Sequence, residues 1–150
     1  MNKKILILLL IFIVVVSALG AVSIRPYGIV NVSYIYELSR WDSITFRGHE
    51  YTQGVYFNYY THGSNAVYPR VLYNLENRFR DVVCTVAMNT NDERNCDSSF
   101  VKFYLDGKLI KSINLKEGQA VQTITVPLDY RNQLQIELGC YAFVADINFR

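Results

Sequence analysis

Aromatic rings set among amides and carboxylates are the side chains here with a chemistry to offer. All 12 tyrosines and the single tryptophan lie beyond residue 20. Tyr51, Tyr56, Phe57, Tyr59, Tyr60, Tyr68 and Tyr73 crowd one stretch. A sugar ring carries an apolar face of C–H groups on which an aromatic ring stacks, while nearby amides and carboxylates take its hydroxyls. Aromatics inside strands mostly fill a core or cover a pleated surface. The rings of interest are therefore those in connections: Trp41 after a strand end, Tyr59 and Tyr60, and Tyr141. Consecutive Tyr59 and Tyr60 point to opposite faces of an extended chain, which exposes one of them. Asn58, His62, Asn89, Asn91 and Asp92 are the polar groups in the same kind of segment.

Other chemistries find less support. His62-Gly63-Ser64-Asn65 lacks the G-x-S-x-G elbow that activates a serine. His49-Glu50 lacks the second histidine of H-E-x-x-H, and the three cysteines fit no zinc spacing. The polar run Asn89 to Asp97 offers oxygen ligands to a structural Ca²⁺, without the spacing of an EF-hand loop. Beyond that ion, no cofactor or metal centre is expected. Nothing places two carboxylates at the separation glycosidic acid–base work needs. A non-catalytic protein is expected.

Cys84, Cys96 and Cys140 give an odd count, for which one disulfide and one thiol is the simplest outcome. Cys84 lies mid-strand beside Val82 and Val86, which favours a buried thiol. Cys96 and Cys140 fall at strand ends and are expected to pair; the other connectivities stay open.

The N-terminus reads as a targeting segment. Met1 to Lys4 is basic, Ile5 to Val16 is unbroken apolar, and Ser17-Ala18-Leu19-Gly20-Ala21 is mostly small. Residues 1–20 fit a signal peptide cleaved before Ala21. The uncharged stretch up to Ile24 is also long enough for a membrane anchor. Either reading places the rest outside the cytoplasm, secreted or on the cell surface, with the membrane met only through this segment. Loss of Lys3 and Lys4 leaves 13 of the 15 basic side chains against 13 acidic ones. No basic footprint for nucleic acid then remains.

The positioning elements read as strands. Phe100–Leu105 and Lys108–Leu115 flank Asp106-Gly107, a strong hairpin signal. Alternation marks Val30–Glu37, Ile44–Arg47, Gly54–Tyr59, Val71–Leu75, Arg80–Met88, Val121–Val126, Leu134–Leu138 and Ala142–Phe149. Short connections leave no room for crossover helices, so an all-β antiparallel sandwich or jelly roll is expected. It would run over 34–150, after a lead-in at 21–33. A two-residue turn at Asp106-Gly107 sets Lys102 opposite Lys111, an unfavourable like-charge pair. A bulge at Gly107 would avoid it.

The order of these features resembles the NPCBM domain, the carbohydrate-binding module associated with glycoside hydrolase family 98. The resemblance rests on Tyr36-Glu37-Leu38-Ser39, Gly48-His49-Glu50-Tyr51-Thr52-Gln53-Gly54-Val55, Tyr73-Asn74-Leu75 with Phe79, Val101 to Lys108, Leu134-Gln135-Ile136 and Ala145-Asp146-Ile147. It implies a galactose-binding-like jelly roll that binds a glycan through loops at one end. Trp41, Tyr59, Tyr60 and Tyr141 would stack, and Asn58, His62, Asn89, Asn91 and Asp92 would hydrogen-bond. The chain departs from the family's pattern at Tyr56-Phe57-Asn58, at Asn89 and at Cys140-Tyr141-Ala142-Phe143. The alternative is a structural or protein-interaction sandwich without sugar binding.

Overall fold

The computed structural model describes residues 26–30, 35–38, 43–58, 68–89 and 96–150. Every regular element among them is a strand: β1 (Gly28–Val30), β2 (Ile35–Leu38), β3 (Ile44–Phe46), β4 (His49–Tyr51), β5 (Gly54–Phe57), β6 (Arg70–Asn74), β7 (Asp81–Met88), β8 (Ser98–Leu105), β9 (Lys108–Lys116), β10 (Gln122–Pro127), β11 (Gln133–Leu138) and β12 (Ala142–Phe149). One sheet runs β1-β6-β11-β8-β9, the other β10-β7-β12-β5-β2, and β3-β4 forms a separate ribbon. All pairings are antiparallel. The fold is the expected all-β antiparallel sandwich.

Alternation builds the core. Val101, Phe103 and Leu105 of β8, Leu134, Ile136 and Leu138 of β11, and Val82, Cys84 and Val86 of β7 all face inward. Period-2 geometry alone would turn the end of β12 outward after Ala142 and Val144. A bulge prevents this: Ala145 pairs with Thr85 but Asn148 with Val83, an extra residue in β12. Asp146 sits there with φ 51, so Ile147 and Phe149 join the core, where Phe149 meets the rings of Tyr73 and Phe79. The residues left on the outer face, Phe143 and Ala145, lie under the β3-β4 ribbon with Phe46 and Tyr51.

Two details differ from the sequence reading. Val30–Glu37 is not one strand: β1 pairs with β6 in one sheet and β2 with β5 in the other, because the chain changes sheet between them. The segment read as a lead-in thus supplies a strand. The Asp106-Gly107 turn has two residues, with φ 46 and 81, and Leu105 opposite Lys108. Its bulge falls at Ile110 rather than Gly107. That moves Lys111 opposite Phe103 and Lys102 opposite Ser112, so the two lysines never face each other. It also turns Ile113 and Leu115 toward the core.

Cys84 is buried and free, and burial pushes its thiol up to about 12, partly offset by Lys111. Such a thiol is neither a nucleophile nor a reagent target. A thiol-specific reagent at pH 8 is expected to modify it only after unfolding; labelling of the native protein at the rate of an exposed thiol would contradict this.

The far end is closed by charge. Asp81 accepts from Arg80 Nε and Arg150 Nε, both at 2.8 Å. Burial raises the Asp81 pKa, but the two guanidinium bonds outweigh it and leave the carboxyl below its ordinary value. A depressed carboxyl stabilises the fold above the unfolded-state pKa of about 3.9 and loses that contribution as pH falls through the folded value. Urea midpoints measured down to pH 2 are expected to fall less steeply on the acid side for Asp81→Asn than for wild type. Parallel profiles would show that the clamp contributes nothing.

Candidate functional site

The strand registers gather five crossings between the sheets at one end. Val30, Arg70, Leu138, Ser98 and Lys116 of the first sheet lie there. So do Ile35, Phe57, Met88, Gln122 and Ala142 of the second. Loops clustered at one end of a rigid sandwich are the usual place for recognition.

The structure brings only some of the expected residues into view. Tyr59, Tyr60, His62, Asn91 and Asp92 lie outside the described residues, as does Trp41. Leu38, three residues before Trp41, pairs with Gly54 at the opposite end of the sandwich. Asn58 is at the crossing end, half-buried, and its Oδ1 accepts from Tyr56 Oη at 3.2 Å.

Two expectations are corrected. Tyr141 is not a free stacking ring: it is 2% exposed and part of the core. The turn Gly139–Ala142, closed by Ala142 N donating to Gly139 O at 3.1 Å, holds Tyr141 at φ 54 and turns its side chain inward. Asn89 is buried too, and its backbone N–H donates to Tyr141 O at 2.8 Å. It fastens the end of β7 to the start of β12 instead of facing a ligand. A disulfide joins Cys96 to Cys140 across this end, with S–S 2.15 Å.

On the first sheet's side of the same end lies an open cleft of about 450 Å³. Tyr68, Ser98, Ser99, Phe100, Asn114, Leu115 and Lys116 line it. Its floor follows from register. Because Ser99, Val101, Phe103 and Leu105 are the buried residues of β8, Phe100 and Lys102 must face outward. Pairing sets Asn114 opposite Phe100 and Lys116 opposite Ser98. The Tyr68 and Phe100 rings meet edge to face at 4.7 Å. Lys102 Nζ lies 4.2 Å from the Phe100 centroid and donates to Glu137 Oε1 at 3.3 Å. Glu137, 5% exposed, also accepts from Arg70 Nε at 2.7 Å and Tyr104 Oη at 3.4 Å. Glu137 therefore anchors Lys102, Lys102 steadies Phe100, and Phe100 supports Tyr68.

Sequence reasoning missed this cleft. The signal available was Phe100, an aromatic out of phase with its inward neighbours. What the arrangement can do is stack and hydrogen-bond. The buried carboxylates Glu137 and Asp81 are each held by two cations. Asp81 is shifted down, opposite to what a general acid needs. Among the described residues no group of three or more His, Cys, Asp or Glu is placed to hold a metal ion. The calcium expectation rested largely on residues 90–95, outside the described set.

No protein-family model and no curated protein matches the sequence. Solved structures do match in shape. A structure of the CBM51-2 and INT domains of Clostridium perfringens ZmpB has a TM-score of 0.63 at 14% identity, over 85% of this chain and 30% of that one. The CBM51 from Clostridium perfringens GH95 in complex with methyl-galactose has a TM-score of 0.60 at 13% identity, over 85% of this chain and 95% of that one. The tandem CBM51 modules of Sp3GH98 from Streptococcus pneumoniae SP3-BS71 give 0.51 at 14%, over 71% and 35%. The chain thus spans less than a third of the ZmpB structure but almost all of the isolated GH95 module. It has the galactose-binding-like β-sandwich fold of the CBM51 modules.

Proposed function

We propose that this chain is a non-catalytic glycan-binding module that works outside the cytoplasm. The observation that carries the reading is the crossing end itself: a rigid sandwich, a disulfide that fixes the loop bases, and an open cleft of rings and polar side chains. The solved CBM51 structures include one in complex with GlcNAc and one with methyl-galactose, which supports sugar as the ligand class. Export by the N-terminal segment and membership of the NPCBM family are part of the same proposal. Asn58 at this end is proposed as a further contact, as are Tyr59, Tyr60, His62, Asn91 and Asp92, which lie outside the described residues.

A protein-interaction role would need an inviting edge. β9 is a nine-residue strand paired on one side only. It carries Lys108, Lys111 and Lys116 and a bulge, devices that discourage strand addition. Lys111 Nζ also donates to Thr125 O at 2.9 Å, tying β9 to β10. The glycan reading is favoured for this reason. A glycan-array screen of the full-length protein should return at least one class of glycan bound tighter than millimolar, with little dependence on salt. An array with no binder at that level would favour the interaction role.

A further inference from the structure

The cleft carries more than a general role. Ser99 is 8% exposed, and its Oγ is buried with no hydrogen-bond partner. It lies on the inner face of β8 with Leu115 opposite, while Phe100 and Asn114 face outward, so the hydroxyl is walled off from the open volume. Gly139 packs over that hydroxyl: a Cβ there would lie 2.6 Å from Ser99 Oγ and 2.8 Å from Phe100 N. Tyr68 and Asn114 line the cleft itself. An aromatic ring and an exposed amide around one open volume match the two faces of a pyranose, one apolar and one hydroxylated. Lys102 already covers the Phe100 ring, which makes Tyr68 the stacking platform.

Charge narrows the class. Among the described residues Lys116 stands at the mouth and Arg47 reaches it by donating to Gly118 O, but Glu117 follows Lys116, and Glu117 N donates to Asp97 O at 3.1 Å. Both acidic residues are exposed beside the cleft. Among the described residues the mouth therefore balances two cations with two carboxylates and has no surplus positive charge to select a carboxylated sugar.

We propose that this cleft, on the outer flank of the β8-β9 pair, is the sugar-binding subsite of the chain. A neutral pyranoside would stack on Tyr68, with the exposed Asn114 amide on its hydroxyls. The inference rests on the glycan-binding reading and moves the site away from Asn89 and Tyr141, which are packed shut.

Titration calorimetry on the full-length protein tests it, using a neutral glycan from the array and its sialylated counterpart. Tyr68→Ala should weaken binding roughly tenfold to hundredfold, as at other ring-stacking sites. Asn114→Ala should weaken it about tenfold while leaving the melting temperature of the free protein unchanged, since the amide is exposed on the outer face. A merely structural residue would not lose binding without losing stability. The neutral glycan should bind at least as tightly as the sialylated one. If Tyr68→Ala and Asn114→Ala bind as wild type while Asn58→Ala does not, the sugar sits on the other sheet's side; the subsite is then wrong and the glycan reading stands. Preference for the sialylated glycan overturns the neutral class. If no array glycan binds wild type, both proposals fall together.

Discussion

Gly54→Ala is expected to destabilise the protein by roughly 3–5 kcal/mol, from backbone strain and steric overlap acting together. Gly54 has φ 140, a conformation L side chains rarely adopt. A Cβ there would lie 2.1 Å from Val144 O, 2.7 Å from Ala145 Cα and 2.9 Å from Val144 C. All three atoms are backbone of β12, so no rotamer change relieves the clash. β5 would have to part from β12 where Gly54 pairs with Ala145. The same spot holds the β12 bulge, where Asp146 N donates to Gln53 O at 3.0 Å. A loss of that size is a large share of a domain's stability. Urea denaturation of wild type and Gly54→Ala checks it. A difference below about 1 kcal/mol would show that the strands are not this close. Gly107 is the contrast: it has φ 81 but nothing within 4 Å of its Cβ position. Gly107→Asn should cost far less, because asparagine tolerates that turn conformation.

The second large effect concerns the disulfide. Cys96 and Cys140 are 44 residues apart in sequence. Closing a loop of that length removes about 4 kcal/mol worth of unfolded-chain freedom in the entropic account. The paired Cys96→Ala and Cys140→Ala variant should lose that stability in non-reducing urea titrations. Reductant should bring wild type down toward the variant and leave the variant unmoved. A wild type indifferent to reductant would contradict the prediction. The bridge also borders the cleft, since Ser98 follows closely on Cys96 and Gly139 precedes Cys140. Reduction is therefore expected to weaken sugar binding as well as the fold.

Much of the sandwich was legible because period-2 alternation is a direct imprint of a two-faced sheet. Leu134, Ile136 and Leu138 read as one face and are wholly buried. Alternation turns Glu137 to the opposite face, yet it is 5% exposed, since Arg70 and Lys102 reach it from neighbouring strands. Cross-strand partners of that kind are set by register, which local sequence does not specify. The same gap explains the bulge at Ile110: the conflict between Lys102 and Lys111 was readable, its resolution was not. β4 was missed because His49-Glu50-Tyr51 is three residues long with only Tyr51 buried. Tyr141 read as part of a connection, and only the positive φ of its turn sends the ring inward. The cleft joins Tyr68, the start of β8 and the end of β9, segments brought together by pairing alone.

The central claim is that this fold binds a sugar at the crossing end, over the β8-β9 flank. The most direct test follows backbone amide resonances of the full-length protein while the best neutral array glycan is added. The account predicts saturable shifts concentrated at Tyr68, Ser98 to Phe100 and Asn114 to Lys116, with little change at the far end around Asp106, Gly107 and Tyr130. Shifts confined to that far end, or none with any glycan, would contradict it.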